Sequence, residues 1–149
     1  FIFIDSPAGI EQGFKNSIAA ADKAIVVTNP EVSAVRDADR IIGMLESAGF
    51  KDIQLLINRL RPDMVKKGDM LSIEDLIEHL CIEPLGVIPE DKSVVISTNR
   101  GEPIVLGNTP AANAFSNIVQ RLTGEDVETM VIPEDTFWTK VKRNLFGAS

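Results

Sequence analysis

The sequence is poor in the residues that build metal centres and disulfide frameworks. It contains one cysteine and one histidine among 149 residues. A single cysteine excludes an internal disulfide, and a zinc or iron–sulfur site built by the protein needs about three or four His, Cys or carboxylate ligands. The small domains that depend on disulfides or on a bound metal for their fold are therefore excluded.

The sequence also lacks a long apolar run and an excess of basic residues. No run approaches the roughly 18 residues needed to cross a bilayer, and no signal peptide is visible. The net charge of −7 argues against nucleic-acid binding driven by phosphate neutralisation. With 44% hydrophobic and 25% charged residues, the composition is typical of a globular protein. We expect a protein of the cytosol, or of an equivalent reducing compartment, with no nucleic-acid partner.

Short apolar runs alternate with longer helical patterns along the chain. The predicted strands are 1–4, 24–27, 53–57 and 85–88, and the predicted helices are about 13–21, 31–48, 72–80 and 111–122, with a loop over 89–107. The apolar runs show no polar alternation, which is typical of strands covered on both faces. The order of elements predicts an α/β fold with three layers, in which helices cover both faces of a mostly parallel sheet.

The charge is unevenly distributed. The total of −7 divides into −10 for residues 1–135 and +3 for residues 136–149, which carry three cations and no acid. We predict a folded body over residues 1–124, an acidic linker over 125–135 and an amphipathic helix over 136–149.

The basic tail has one apolar face. At about 100° per residue, the side chains of Phe137, Trp138, Val141 and Leu145 fall within one arc, which is typical of a helix lying in a membrane interface. The residues predicted to contact an anionic membrane are Phe137, Trp138, Lys140, Val141, Lys142, Arg143, Leu145 and Phe146. The alternative is an ordinary terminal helix that packs on the core.

The first predicted strand ends at Asp5 and is followed by Ser6-Pro7-Ala8-Gly9. At the carboxyl edge of a parallel strand an aspartate points into the crevice where ligands bind, and it can hold Mg²⁺ directly or through water. A glycine there lets a backbone N–H approach a phosphate closely. Taken alone, the pattern is equally that of a strand ending in a capping aspartate.

Five ordered motifs carry a resemblance that covers nearly the whole chain. They are residues 1–11 (FIFIDSPAGIE), 28–40 (TNPEVSAVRDADR), 68–72 (GDMLS), 86–91 (GVIPED) and 97–103 (STNRGEP). Together they resemble the MinD branch of the deviant-Walker-A (ParA/MinD) family of P-loop ATPases. The order and spacing of five motifs make the resemblance far more specific than any one of them.

The resemblance implies roles for particular residues, with ATP and Mg²⁺ as cofactors. Asp5 would be the Walker B acid that positions Mg²⁺ through water, and Gly9 would sense the γ-phosphate. Asn58 would hydrogen-bond the adenine. The other residues implied at the nucleotide are Arg59, Pro89, Glu90 and Asp91, and those implied at the nucleotide edge or dimer interface are Glu11, Glu31 and Asp37. For Glu31 and Asp37 the alternative is ordinary helix charge and solvation.

One motif of the family is missing. No G-x-x-x-x-G-K-[ST] loop, whose backbone amides would cradle phosphates, occurs in this sequence. We therefore expect the chain to be the C-terminal portion of such an ATPase. On its own it should neither bind ATP tightly nor hydrolyse it, and it should be aggregation-prone.

The resemblance implies an ATPase that places the division site. It would cycle between an ATP-bound homodimer on an anionic membrane and a released monomer, with a MinC-like division inhibitor and a MinE-like ATPase activator as partners. The location would be cytoplasmic and peripheral on the inner membrane, or the plastid stroma and inner envelope. Two alternatives remain: a ParA-type partition ATPase, and a non-enzymatic membrane or partner-binding module.

Overall fold

The structure is a computed structural model that describes residues 1–7 and 9–127. The helices are α1 (Gln12–Ile18), α2 (Val32–Ser47), α3 (Pro62–Lys67), α4 (Ile73–Leu80), α5 (Lys92–Arg100) and α6 (Pro110–Leu122), with a 3₁₀ turn at Ile104–Leu106. The strands are β1 (Ala24–Thr28), β2 (Ile53–Leu60) and β3 (Glu83–Pro89). The predicted amphipathic helix, and the predicted linker after Val127, lie outside the described residues.

The three strands form one parallel sheet in the order β1-β2-β3. One face is covered by α2 and α4, and its core includes Leu55, Ile57 and Val87, which are all buried. The other face is covered by α6, and its core includes Leu85 and Ile88. Helices on both faces of a parallel sheet confirm the predicted α/β, three-layer fold.

α6 runs antiparallel to β3 and packs closely against it. Its first turn lies beside the carboxyl end of β3, where the Ala111 amide donates to Asp91. Its last turn lies beside the start of β3, where the Arg121 guanidinium donates to the carbonyls of Pro84 and Leu85. The close approach depends on Gly86, since a Cβ there would lie 2.5 Å from Cγ1 of Ile118.

The predicted first strand is wrong in this structure. Residues 1–7 form no regular secondary structure, and the side chains of Phe1 and Ile2 are 90% and 94% exposed. A strand needs a neighbouring strand to complete its hydrogen bonds. Within the described residues β1 pairs with β2 alone, so residues 1–4 have no ladder to join.

The predicted loop over 89–107 is also wrong, because α5 and the 3₁₀ turn lie within it. Helix α5 begins where Asp91 accepts a hydrogen bond from the Ser93 amide and ends at Gly101, whose φ of 69° is left-handed. Helix α3, equally unpredicted, ends at Gly68 with a φ of 77°. Both helices bury no residue fully, so they lack the apolar periodicity by which α2 and α6 were predicted.

Candidate functional site

The carboxyl ends of the three strands lie along one edge of the sheet. Thr28 is in register with Ile57, and Leu60 with Pro89. In open parallel sheets ligands bind outside this edge, since the connecting loops splay apart there. The residues predicted at the nucleotide, other than Asp5 and Gly9, all belong to this edge or to the turns that follow it.

Arg59 interrupts the end of β2. Its φ is 56°, a left-handed conformation that costs a non-glycine residue about 1–2 kcal/mol, and the pairing with β3 is irregular between Ile57 and Leu60. Its guanidinium donates to Oε1 of Glu90 at 3.1 Å. Both side chains are exposed, so the ion pair contributes at most about 1 kcal/mol.

Asn58 lies half-buried beside Arg59 on β2. Among the described residues its side-chain amide has no hydrogen-bond partner. The amide presents two donors and one acceptor group, so this part of the edge can form hydrogen bonds with a bound molecule.

Asp91 holds the turn after β3. Its Oδ1 accepts from the Ser93 amide at 2.8 Å, and its Oδ2 accepts from the Ala111 amide at 3.2 Å. These hydrogen bonds, the one from Ser93 foremost, lower the pKa of the Asp91 carboxyl below its usual range. Both oxygens are thus engaged by the first turns of α5 and α6, and Asp91 positions Pro89 and Glu90 rather than offering a free carboxylate.

Two grooves flank this edge and divide the remaining predicted residues between them. The groove of about 700 Å³, which we call the arginine groove, is lined by Glu31, Arg59, Arg61 and Glu90, among others. Glu31 occupies the N-cap position of α2, but its side chain makes no capping hydrogen bond there. Its exposed carboxylate fits both the predicted binding role and the alternative of ordinary helix charge.

The second groove, of about 490 Å³, lies between residues 4–9 and β1. Its lining includes Gly9, Thr28, Asn29 and Asp37. Gly9 has a φ of 95°, which a residue with a Cβ adopts only under strain. The structure thus brings together a glycine turn and the Asp37 carboxylate, two of the predicted groups.

Asp5 and Glu11 are not brought into either groove. Asp5 is exposed beside the lining residues Ile4 and Ser6, and Glu11 is exposed at the N-cap position of α1 without a side-chain capping bond. Across residues 1–7 and 9–127, no group of three or more His, Cys, Asp or Glu side chains could hold a metal ion. A single carboxylate fits only a metal held largely by water and by a ligand's phosphates.

The residues present fit one part of a magnesium nucleotide and not the other. Asn58 and the turn over residues 89–91 provide an amide and a strand edge suited to a base, whereas Asp5, the carboxylate predicted for Mg²⁺, is exposed outside both grooves. The phosphate cradle has no counterpart in this sequence.

Sequence reasoning missed some of the residues around this edge. Arg61 lines the arginine groove but belongs to a basic cluster typical of a solvated loop. Thr109 begins α6 by accepting from the Ala112 amide, next to the amide that binds Asp91. The Thr-Pro pair at 109–110 was the available signal, since proline is favoured at the first position of a helix.

No helix within the described residues is both long enough and apolar enough to cross a membrane.

The chain is similar in sequence to septum site-determining proteins. It is 45% identical over 151 residues to the septum site-determining protein MinD of Synechocystis, a match that covers 99% of this chain and 57% of the relative. It is 45% identical to MinD of Bacillus subtilis, covering 56% of that protein, and 55% identical to a putative MinD of Guillardia theta, covering 48%. The chain thus spans about half the length of the curated relatives it matches. No protein-family profile matches it.

Solved structures show the same likeness. The MinD cell division protein of Aquifex aeolicus superposes with a TM-score of 0.81 at 49% identity, covering 85% of this chain and 54% of that one. The MinD of the Aquifex MinC:MinD complex gives 0.82 over 53% of its chain. The Pyrococcus horikoshii MinD, solved with Mg-ADP, gives 0.69 at 28% identity, covering 80% of this chain and half of the other.

Proposed function

We propose that this chain, a homologue of the MinD septum site-determining proteins, supplies the base-binding and membrane-binding portion of an ATPase that places the division site. The homology covers 99% of the chain. The observation that carries the proposal is the common edge at which Asn58 and Arg59, near the end of β2, lie beside residues 89–91, at the end of the parallel strand β3.

ATP would be held at this edge by its base. The unengaged amide of Asn58 would bond the adenine, and Pro89 with Glu90, positioned by Asp91, would line it. Asp5 would hold Mg²⁺ through water, and Gly9 would lie near the γ-phosphate. When bound, the magnesium nucleotide supplies a phosphoryl group for transfer to water. The chain's own residues bind and orient it; a phosphate cradle must come from elsewhere.

The arginine groove and its neighbour would face a second copy of the protein. Glu31, Asp37 and Glu11 are exposed, and Glu31 and Asp37 line the two grooves at the nucleotide edge. We infer a homodimer that forms across this edge when ATP is bound. A MinC-like inhibitor is the partner favoured by the Aquifex complex, and a MinE-like activator would complete the cycle.

A chimera tests the nucleotide role. In it, this chain replaces the matched half of Synechocystis MinD, which supplies the remaining residues. We expect Mg-ATP turnover, lost when Asp5→Ala removes the metal-positioning carboxylate and retained in Asp22→Ala, an exposed aspartate of the turn before β1. The measurement is phosphate release at saturating ATP.

Three outcomes with the chimera would contradict the proposal. Equal turnover of the parent and Asp5→Ala chimeras would remove the metal role from Asp5. A folded chimera that binds no nucleotide would favour the non-enzymatic module. Retention on double-stranded DNA would instead favour the ParA-type alternative, which the acidic body argues against.

The tail over residues 136–149 would hold the protein on an anionic membrane. It combines two aromatic residues next to each other, Phe137 and Trp138, with three cations. Each cation near an anionic surface contributes about 1 kcal/mol. One short helix binds weakly, so dimerisation would raise the affinity by doubling the anchors.

Sedimentation with anionic vesicles tests the tail in a dimerised form. Val141→Glu places a charge on the apolar face and should reduce the bound fraction at least tenfold. The matched control is Thr139→Glu, which adds the same charge on the opposite face. It should lower the bound fraction only by the repulsion between that charge and the anionic vesicle. Equal retention of both variants would contradict insertion of the apolar face.

The location follows from the relatives. They come from bacteria and from algae. We infer a protein of the bacterial cytoplasm that is peripheral on the inner membrane, or one of the plastid stroma and inner envelope.

A further inference from the structure

Four large aliphatic side chains lie exposed on two adjoining elements of the described body. They are Val95 and Ile96 on α5 and Val105 and Leu106 on the 3₁₀ turn, exposed by 63%, 50%, 54% and 81%. We call these four residues the α5 patch. The elements contact each other, and the 3₁₀ turn also contacts α6. Apolar residues scattered singly on a surface are ordinary, whereas a contiguous patch marks an interaction site.

The patch lies on the same face of the sheet as the end of the described chain. Val94 and Ile104, its neighbours in sequence, pack into the core beneath α6. The described chain leaves α6 at the far end of that helix, where the Val127 carbonyl accepts from Nε of Arg121 at 2.8 Å. A second exposed apolar group, Phe1 to Ile4, adjoins through Ile4 the groove on the opposite face, where Phe14 and Ile41 belong to the core.

The residues beyond Val127 are long enough to return to the patch. From the end of α6 the chain must travel back along a helix that is about 20 Å long, at about 1.5 Å per residue. Residues 128–136 alone reach about 30 Å when extended, at about 3.3 Å per residue. Residues 137–146 would then form a helix about 15 Å long, a length close to that of α5.

The tail carries the complementary surface. Its apolar arc holds Phe137, Trp138, Val141 and Leu145, and a helix of about ten residues is marginal in water without a partner. We propose that the apolar face of residues 137–146 docks on the α5 patch of its own chain when the protein is off the membrane. The docking itself does not require the proposed membrane role, but its consequence does. If the membrane and the α5 patch both bind the apolar face of the tail, docking lowers the affinity of the protein for the membrane.

Trp138 reports the docking directly, because it is the only tryptophan of the chain. At submicromolar concentration we expect its emission to be blue-shifted relative to a peptide of residues 136–149. Leu106→Glu should shift the emission to that of the peptide and increase quenching by acrylamide. Since Leu106 is largely exposed, this substitution leaves the core untouched. The matched control is Val32→Glu on α2, a residue 57% exposed on the opposite face. It should change neither the emission of Trp138 nor its quenching by acrylamide.

Three results would overturn the proposal. They are emission equal to that of the peptide in the unsubstituted chain, a blue shift that survives Leu106→Glu, and a blue shift that grows with chain concentration, which would place the tail on a second copy.

Binding to anionic vesicles separates the docking from the membrane role. If about nine tenths of the tails are docked, Leu106→Glu should bind vesicles about tenfold more tightly than the unsubstituted chain. If neither chain binds vesicles while the fluorescence shifts occur as expected, the membrane role fails and the docking stands.

Discussion

At the scale of single residues, Asp91 is predicted to contact a ligand, but in the structure its carboxylate holds the first turns of two helices in place. Its sequence position, after a strand and a proline, matches a binding loop. The structure engages both of its oxygens with backbone amides of α5 and α6. Its contribution to binding is therefore the position it gives to the turn over residues 89–91.

Stability should follow the ionisation of Asp91. Its pKa is lowered in the folded chain, foremost by the Ser93 amide, so its stabilisation is complete above the unfolded pKa of about 3.9 and is lost as the pH falls through the folded pKa. We expect Asp91→Ala to cost about 1–2 kcal/mol at pH 7, a difference that narrows below pH 4. Urea unfolding of wild type and Asp91→Ala at pH 7 and below pH 4 measures this difference in the free energy of unfolding.

The comparison variant for that experiment is Asp91→Asn. It keeps one acceptor for the Ser93 amide without the charge, so its loss should be smaller than that of alanine. A difference between wild type and Asp91→Ala that stays constant with pH would show that the charge is not what stabilises the turn.

Arg59 illustrates a limit at the same scale. Its place just after the predicted strand 53–57 was visible in the sequence. Its left-handed backbone was not, because that conformation is imposed by the irregular pairing of β2 with β3. Local sequence favours an extended residue there, and only tertiary hydrogen bonding overrides it.

At the scale of elements, the contact of α6 with β3 depends on the missing side chain of Gly86. A Cβ at this position would meet Ile118 at 2.5 Å, and Ile118 is buried. Overpacking of a core typically costs about 1–3 kcal/mol. We expect Gly86→Ala to lose that amount of stability, measured by urea unfolding.

Two further substitutions make that result specific. Gly86→Ala combined with Ile118→Ala should lose less stability than the sum of the two single losses, since the two residues are coupled through one contact. Gly43→Ala in α2 has no atom within 4 Å of the new Cβ and should stabilise by up to about 1 kcal/mol. A Gly86→Ala chain as stable as the wild type would contradict the close packing.

Helices and strands could be predicted from the sequence where their buried residues recur at regular intervals. The strands β1, β2 and β3 and the helices α2, α4 and α6 all form near their predicted bounds, because their apolar faces are buried against the sheet. Helices α3 and α5 bury no residue fully. They are defined by capping residues and left-handed glycines, signals that are short and easily read as turns.

At the scale of the whole molecule, the described body exposes apolar surface at its first residues as well as at the α5 patch. Phe1, Ile2 and Phe3 are largely exposed, and β1 pairs on one edge only within the described residues. Uncovered strand edges with apolar neighbours promote association. We expect the 149-residue chain to be aggregation-prone and to bind a hydrophobic dye.

Light scattering measures the aggregation, and calorimetry measures whether the chain melts cooperatively. Val27→Lys, which places a charge on the exposed face of β1, should raise solubility, whereas Val95→Lys on α5 should not relieve association at the β1 edge. A sharp, cooperative melt from a soluble monomer of the unsubstituted chain would contradict the expectation.

The sequence by itself determined the α/β class and carried the resemblance to MinD proteins, since both depend on local patterns: apolar runs, helical periods and five ordered motifs. The tertiary structure decided which residues share a groove, that Asp91 holds the first turns of two helices in place and that residues 1–4 form no strand. Each of these outcomes depends on pairing between segments distant in sequence, because a hydrogen-bond ladder or a buried contact is a property of two segments and not of one.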